Sequence, residues 1–288
     1  MKRLTTRLLF LVSFAALLYI PIAVFTTGFG PFLGAASGFA ALAGGPAAGA
    51  VTCTASTVTG SVGVVLPGTF VNTGCTVGTV NTNATAAYAD FLNAYDALQF
   101  NTTCDETLTG TLAGVTLTPG VYCFPAAATL TGTLTLDGPA DGIWIFKVGT
   151  GGTGALTGTN FSVVMAGAVA GTCPNVYWWV AQDATLTTSN FLGAILAGGD
   201  ITVTGGTFTG EALAGGAGTT SAPTGAVTLT NSTIHACAPA GGSVTHVRTK
   251  CNQGVGNGPE GCDPGNSNNH NPSNDERGGS PGHPGRKK

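Results

Sequence analysis

The chain contains 288 residues, of which 8% are charged, and it has a formal net charge of −3. An average soluble domain has about 25% charged residues, so Thr, Ser, Asn and Gly must cover much of this surface. The small charge, without a basic stripe, argues against a nucleic-acid-binding surface. The 46 glycines and frequent threonines favour stacked β-structure over helix.

The N-terminus has the pattern of an export signal. Lys2, Arg3 and Arg7 precede an apolar run from Leu8 to Phe25, as in secretory signal peptides. The run is also close to the minimum length of a membrane span. We interpret residues 1–30 as a signal peptide or membrane anchor, with cleavage favoured. The protein is therefore expected to be secreted, and to be anchored at the cell surface only if this segment is retained.

Eight cysteines follow this segment. An even number in an exported chain indicates disulfides, although spacing does not define connectivity. Pairing of nearest neighbours is our expectation: Cys53–Cys75, Cys104–Cys123, Cys173–Cys237 and Cys251–Cys262. The C-x-x-C or close Cys/His spacing of a zinc site is missing, so we expect no metal and no other cofactor.

One helix is predicted, at about 84–99. Its apolar residues recur at helical spacing on one face: Tyr88, Phe91, Leu92, Tyr95 and Leu98. Because the rest of residues 31–238 is strand-like, this face is expected to pack on a sheet. Residues 239–288, rich in Gly, Asn and Pro, are expected to form a disordered tail.

The strand-rich region contains an internal repeat of the form Thr/Ala-hydrophobic-Thr. Its members are 129–131, 155–157, 185–187, 202–204 and 228–230. The steps from Thr185 to Thr202 and from Thr202 to Thr228 are 17 and 26 residues, so the second fits one coil plus an insertion near 215–224. The step of 30 residues from Ala155 to Thr185 predicts another insertion near 167–174.

A repeat of about 17 residues is typical of one turn of a three-sided β-solenoid, whose neighbouring strands stack about 4.8 Å apart. The apolar residues of the repeat would then form ladders in the core: Leu156, Leu186, Val203 and Leu229, with Phe161, Phe191, Phe208 and Ile234. The threonines between them would point outward. Two interpretations of such a surface are open. One is that Thr is present only because of its β-propensity. The other is that the threonines form a functional array of methyls and hydroxyls whose coil spacing is close to a repeat of the ice lattice.

Several stretches resemble, in order, the microbial ice-binding protein family. They are LGAASGFAALAG (33–44), GSVGV (60–64), LPG (66–68), ADFLNAYDAL (89–98), LTPGVY (117–122), GIWIFKVG (142–149), NVYWWV (175–180) and GAVTLTN (225–231). The resemblance implies an all-β fold, a discontinuous right-handed β-solenoid of triangular cross-section. One long α-helix is packed alongside, and a capping segment is inserted in the N-terminal half.

The resemblance also implies the function and a site. In this family ice is bound by a flat face, and some members carry Thr-Ala/Gly-x-Thr/Asn, a form that 157–160 and 204–207 match. Segments 187–190 and 230–233 depart from it at the second position. The expected ice-binding residues are Thr131, Thr157, Thr159, Asn160, Thr187, Asn190, Thr204, Thr207, Thr209, Thr230 and Thr233. The expected partner of this monomer is an ice surface, with no nucleic acid and no small-molecule substrate.

Two other classes of function are compatible with a β-solenoid. A carbohydrate-active enzyme on a β-helix needs clustered carboxylates, but Asp183 and Asp200 have the spacing of successive coil corners and His235 has no evident partner. No G-x-S-x-G elbow is present, so we expect no enzyme. The alternative is a cell-surface adhesin or structural β-solenoid that binds polysaccharide. Trp144, Trp178 and Trp179 could stack on sugar, but Trp144 and Trp178 each lie inside an apolar strand and are expected to pack in the core or against the helix instead.

Overall fold

The computed structural model of the protein describes residues 30–45, 49–100, 102–167, 175–216 and 225–237. The predicted export segment, apart from Gly30, and the predicted tail lie outside the described residues. In the described part, a 3-10 helix (Gly34–Gly38) and an α-helix, α1 (Thr85–Phe100), accompany twenty β-strands. The helix lies within one residue of its predicted bounds.

The strands are β1 (Phe39–Ala43), β2 (Val51–Thr54), β3 (Thr57–Thr59), β4 (Ser61–Val64), β5 (Phe70–Thr73), β6 (Thr76–Val77), β7 (Val80–Asn81), β8 (Glu106–Thr107), β9 (Thr116–Leu117), β10 (Gly120–Phe124), β11 (Ala128–Leu136), β12 (Ile143–Val148), β13 (Leu156–Met165), β14 (Asn175–Val180), β15 (Ala184–Leu192), β16 (Ala194–Ala197), β17 (Ile201–Thr209), β18 (Ala212–Ala214), β19 (Val227–Thr230) and β20 (Thr233–His235). Their pairs are parallel and build two long sheets. One has the order β7-β4-β1-β18-β16-β14-β12-β10-β8, and the other β5-β2-β19-β17-β15-β13-β11-β9, with β3, β6 and β20 beside it.

A single turn of the chain shows how the two sheets form a three-sided coil. Strand β15 bends at Thr188, where φ is 48°, so that 184–187 and 190–192 lie on two different sides. Strand β16 forms the third side, in the other sheet. The next turn begins at β17, and Thr185 pairs with Thr202. The predicted β-solenoid and its 17-residue turn are therefore confirmed.

We name the three sides by what they carry. The helix side is the sheet that contains β16. The threonine side comprises 51–54, 70–73, 128–131, 156–159, 184–187, 201–204 and 227–230. The mixed side comprises 57–59, 76–77, 133–136, 162–165, 190–192, 207–209 and 233–235.

The same local structure makes the bend between the threonine and mixed sides in successive coils. One residue in the left-handed conformation turns the strand at each of these bends. These residues are Ala55, Asn160, Thr188 and Asn231, each with φ of 48–49°. In three coils the next residue is a buried serine: Ser56, Ser189 and Ser232. Because Ser56 Oγ lies 3.2 Å from Ser232 Oγ, the bend has its own polar ladder inside the coil.

The coils are stacked out of sequence order, as predicted, and α1 explains why. The chain makes its first coils from β1 to β7, and then α1 begins next to β4, where the N–H of Ala84 donates to the carbonyl of Val64. The helix ends near Lys147 of β12, five strands further along the sheet. Five spacings of about 4.8 Å equal about 24 Å, the length of a 16-residue helix. Later coils then stack back until β18 and β19 pair with β1 and β2.

Apolar residues fill both faces of the helix side. Trp144, Phe146 and Trp178 are fully buried inside the solenoid, and the rings of Phe146 and Trp178 stack 3.9 Å apart. On the outer face, Trp179 packs with Phe91 of α1 in a second cluster. The predicted packing of the helix on a sheet and the predicted burial of Trp144 and Trp178 are confirmed, and Trp179 is buried as well.

The predicted core ladders are correct in three coils and wrong in the fourth. Leu186, Val203 and Leu229 stack, as do Phe191, Phe208 and Ile234. In β13, however, Gly158 pairs with Leu186 and Leu156 with Ala184, so this coil is displaced by two residues from the motif alignment. A two-residue shift keeps every apolar residue inward, so the hydrophobic pattern alone does not distinguish the two registers.

Two predicted disulfides are confirmed, Cys53–Cys75 and Cys104–Cys123. Cys237 is also disulfide-bonded, while Cys173, Cys251 and Cys262 lie outside the described residues.

At the β8–β9 end of the stack, Leu108, Leu112 and Leu117 are buried in the core. This part of the chain closes that end of the solenoid, where the family resemblance implied a cap.

Candidate functional site

The threonine side presents two straight columns of threonine. The first column runs through Thr157, Thr185, Thr202, Thr228, Thr52 and Val71, and the second through Thr159, Thr187, Thr204, Thr230, Thr54 and Thr73. Eleven of these twelve register positions are therefore threonine. Thr129, paired with Thr157, extends the first column by one coil, and Thr131 stands at a bulge beside the second.

These threonines point outward because their neighbours point inward. Leu186, Val203 and Leu229 are at most 2% exposed, and side chains alternate across a strand. The threonines are half-buried or exposed, since each lies against the threonine of the next coil. None of the twelve positions carries a charge. The side is thus a regular array of methyls and hydroxyls on a rigid backbone.

The bend beside these columns is polar but less regular. Asn160 is exposed there, and its Oδ1 accepts a hydrogen bond of 2.6 Å from Thr188 Oγ1. Beyond the bend, the first outward column of the mixed side contains Ser162, Asn190, Thr207, Thr233, Thr57 and Thr76. Its second column includes Val164, Leu192, Thr209 and His235. The mixed side therefore lacks the uniform chemistry of the threonine side.

The bend divides the predicted ice-binding residues into two groups. On the threonine side lie Thr131, Thr157, Thr159, Thr187, Thr204 and Thr230, while Asn190, Thr207, Thr209 and Thr233 lie on the mixed side and Asn160 at the bend. The structure thus does not bring the eleven residues onto one side. Sequence reasoning missed the other outward threonines: Thr52, Thr54, Thr73, Thr129, Thr185, Thr202 and Thr228.

The signal for the missed residues was present in the repeat. Thr-hydrophobic-Thr places two threonines on the same side of one strand. The four-residue motif, by contrast, joins positions such as Thr204 and Thr207 that lie on either side of the bend. Each strand segment on one side of the coil is only about four residues long. Alternation of side chains within so short a segment does not show at which residue the chain turns to the next side.

Several charged side chains of the described region have structural roles. Asp183 Oδ1 accepts the N–H of Asp200 at 2.8 Å, and Asp200 Oδ1 accepts the N–H of Ala226 at 2.9 Å. These carboxylates therefore link the corners of successive coils, as predicted. Lys147 Nζ donates to the carbonyls of Gln99 and Thr102, at 3.1 and 2.8 Å, and so holds the C-terminal end of α1.

Glu211 is buried at the corner between the mixed and helix sides. Burial raises the pKa of its carboxyl to about 8, although the N–H groups of Glu211 itself and of Cys237 donate to it and oppose the shift.

Within the described ranges, no group of three or more His, Cys, Asp or Glu side chains is placed to hold a metal ion. The described part also contains no helix long and apolar enough to cross a membrane.

Comparison with known proteins agrees with the fold and the Thr-rich coils. The sequence profile of the Ice-binding-like family matches residues 33–235. A relative named Ice-binding protein, from Nostoc sp. (strain HG1), is 38% identical over 175 residues, which are 57% of this chain and 61% of the relative. This chain therefore spans less than two thirds of that relative's length.

Solved structures give the same result. An ice binding protein from an Antarctic Biological Consortium has a TM-score of 0.60 and 29% identity, covering 73% of this chain and 92% of that chain. The ice-binding protein of the Antarctic ascomycete Antarctomyces psychrotrophicus has a TM-score of 0.57 and 31% identity, covering 72% and 98%. Since the family profile matches far more than half of its length, this chain belongs to the Ice-binding-like family.

Proposed function

We propose that this protein binds ice through the threonine side of its solenoid and thereby restrains ice growth or recrystallisation. The observation that carries the proposal is the pair of columns in which eleven of twelve aligned positions are threonine. Strands stack about 4.8 Å apart, and alternate residues along a strand lie about 6.6 Å apart. The hydroxyls and methyls therefore form a two-dimensional lattice, which is the feature that a crystal surface can match.

The chemistry of this side suits adsorption to ice. Threonine methyls order nearby water while the hydroxyls anchor it, and no charge is present to hold its own hydration shell. The coils are held rigid by the backbone ladders and by the core behind them. Little conformational entropy is therefore lost when the side meets a crystal. Because no charges carry the interaction, binding should persist at high salt.

We also propose that the protein has no catalytic activity and acts outside the cell as a monomer. Asp183 and Asp200 are engaged at coil corners and Lys147 at the end of α1, which supports a surface without acid–base chemistry. Cys53–Cys75 and Cys104–Cys123 are typical of an oxidising compartment, in agreement with the N-terminal export pattern. The polysaccharide-binding alternative loses its main support, since all three tryptophans are at most 3% exposed.

The test compares tyrosine substitutions on the two sides of one bend. Thr204→Tyr places a bulky ring in the second column of the threonine side, and Thr207→Tyr places the same ring on the mixed side, three residues away. The full chain, with its disulfides oxidised, would be assayed for ice shaping, thermal hysteresis and ice recrystallisation. We expect Thr204→Tyr to lose most of the activity and Thr207→Tyr to retain it. Unchanged thermal unfolding would show that both variants are folded, because both positions face outward.

The outcomes separate the assignments. If only Thr207→Tyr loses activity, the ice-binding site lies on the mixed side. If both variants keep the activity of the parent protein, neither side is the ice-binding site. Thr187→Tyr, one coil away in the same column as Thr204, should reproduce the effect of Thr204→Tyr. A folded parent protein that neither shapes ice nor slows recrystallisation would refute ice binding itself.

A further inference from the structure

Polar side chains from outside the threonine columns link successive coils at both edges of the threonine side. At the edge next to the helix side, Asp183 and Asp200 directly precede Ala184 and Ile201, which pair in register. Asp183 Oδ1 accepts the N–H of Asp200 at 2.8 Å, and Asp200 Oδ1 accepts the N–H of Ala226 at 2.9 Å. The carboxylates therefore join the coils of β15, β17 and β19, which carry three neighbouring pairs of threonines.

These links complete the backbone ladder at this edge. The N–H of Ala184 donates to the carbonyl of Asp200 at 2.9 Å, and the N–H of Ile201 donates to the carbonyl of Ala226 at 2.8 Å. Both backbone groups of Asp200 and of Ala226 are thus bonded to the preceding coil, the carbonyl by a backbone N–H and the N–H by a carboxylate. A charged acceptor makes a hydrogen bond about twice as strong as a neutral one. The corner at which each of these strands enters the threonine side is consequently fixed relative to its neighbour.

Buried serines make corresponding links at the other edge, the bend. Ser189 Oγ donates to the carbonyl of Thr187 at 3.1 Å and accepts the N–H of Phe161, in the adjacent coil, at 3.2 Å. Ser56 Oγ donates to the carbonyl of Thr54 at 2.9 Å and accepts an N–H of its own adjacent coil at 3.0 Å. Thr187 and Thr54 both belong to the second column. Each serine therefore holds the backbone of a column residue and a neighbouring coil at the same time.

The coil of β15 carries both kinds of link. Asp183 lies two residues before Thr185, and Ser189 lies two residues after Thr187. Each of its two column positions is therefore close to a linked corner. A crystal surface has fixed spacings, so rows of threonine that shift relative to each other must lose that freedom when they adsorb. Fixed corners remove this cost before the ice is met.

We propose that four side chains outside the columns are positioning residues for ice binding: Asp183, Asp200, Ser56 and Ser189. They hold neighbouring rows of threonine at a constant spacing. This inference rests on the proposed function. Loss of a link would leave every threonine in place, but a backbone N–H at the corner would lose its acceptor and the rows would become less ordered. Ice binding should then fall in a protein that is still folded.

The test compares two double variants with a control at the third corner. Asp183→Ala/Asp200→Ala removes both carboxylates, and alanine is compatible with this corner because Ala226 occupies the same place in the next coil. Asp183→Asn/Asp200→Asn keeps an Oδ1 acceptor at both positions. Glu211→Ala is the matched control, since its carboxyl accepts the N–H of Cys237 in the neighbouring coil. That link lies at the corner opposite the threonine side.

Thermal hysteresis and ice recrystallisation would be measured on the full chain with its disulfides oxidised. Near-UV circular dichroism at the same temperature would show that each variant is folded. We expect the alanine double variant to need about tenfold more protein to stop recrystallisation, because a site whose supporting contacts are removed becomes less precise. The asparagine double variant and Glu211→Ala should stay within about twofold of the parent, since neither loosens this edge. Ser189→Ala should reproduce the loss from the bend.

The outcomes separate positioning from stability and from ice binding itself. Full activity in the folded alanine double variant would overturn the inference, because links that only stabilise the fold do not change the activity of folded protein. An equal loss in Glu211→Ala would also overturn it, since the effect would then come from loosening the solenoid anywhere. An inactive parent would refute the proposed function and this inference with it.

Discussion

Raising the pH should weaken this fold through one side chain, Glu211. Its carboxyl is 4% exposed, and burial raises its pKa from 4.5 to about 8. In the unfolded chain the carboxyl loses its proton near pH 4.5, while the folded protein keeps it until about pH 8. The stabilisation is therefore fully present below pH 4.5 and is lost as the pH rises toward 8. With 1.36 kcal/mol for each pH unit, the free energy of unfolding falls by up to about 5 kcal/mol over this range.

The assay is guanidinium unfolding at pH 5, 6.5 and 8.5, for the parent and for Glu211→Gln. Glutamine has nearly the same shape, stays neutral, and offers an oxygen to the N–H groups of residues 211 and 237. We expect the stability of the parent to fall by several kcal/mol between pH 5 and 8.5, and that of Glu211→Gln to change much less. Parallel pH profiles for the two proteins would refute the assignment of this pH dependence to Glu211.

Three other substitutions test particular contacts by the free energy of unfolding. Phe191→Ala should cost about 3–5 kcal/mol, since this ring lies 5.0 Å from Trp178 and 5.6 Å from Phe208; a cost near 1 kcal/mol would contradict the described stack. Lys147→Met should cost about 1–3 kcal/mol, because it leaves the carbonyls of Gln99 and Thr102 without their donor, and exchange should accelerate at the end of α1. Gly206→Ala should be more costly than Gly205→Ala. Both have positive φ, which costs about 1–2 kcal/mol with a side chain, but only at Gly206 would the new Cβ overlap with the carbonyl oxygen of Ser189. Equal costs would contradict the described bend.

The architecture was largely predictable from local patterns. Alternation of Thr with Leu or Val places the apolar residues inside a strand, and the 17-residue step of Thr185 and Thr202 sets the size of one coil. The helix was predicted to within one residue, because Phe91, Tyr95 and Leu98 mark its buried face. Cysteine spacing does not define connectivity, but the first two pairs agree with the expectation that nearest neighbours pair.

The tertiary structure decided two features that these patterns leave open: the register of β13 and the side on which each threonine lies. In β13, registers that differ by two residues place the same apolar side chains inward, and the packed neighbours select the one that pairs Gly158 with Leu186. Likewise, alternation alone would place Thr204 and Thr207, three residues apart, on opposite faces of one strand. The bend at Gly205 and Gly206 instead lets both face outward, on different sides of the coil. The sequence by itself thus determined a threonine-covered β-solenoid with a helix. The backbone turns at corner residues in the left-handed conformation, and these turns determined which threonines share a surface. The orientation of each side depends on contacts between coils that are distant in the chain, which local patterns do not contain.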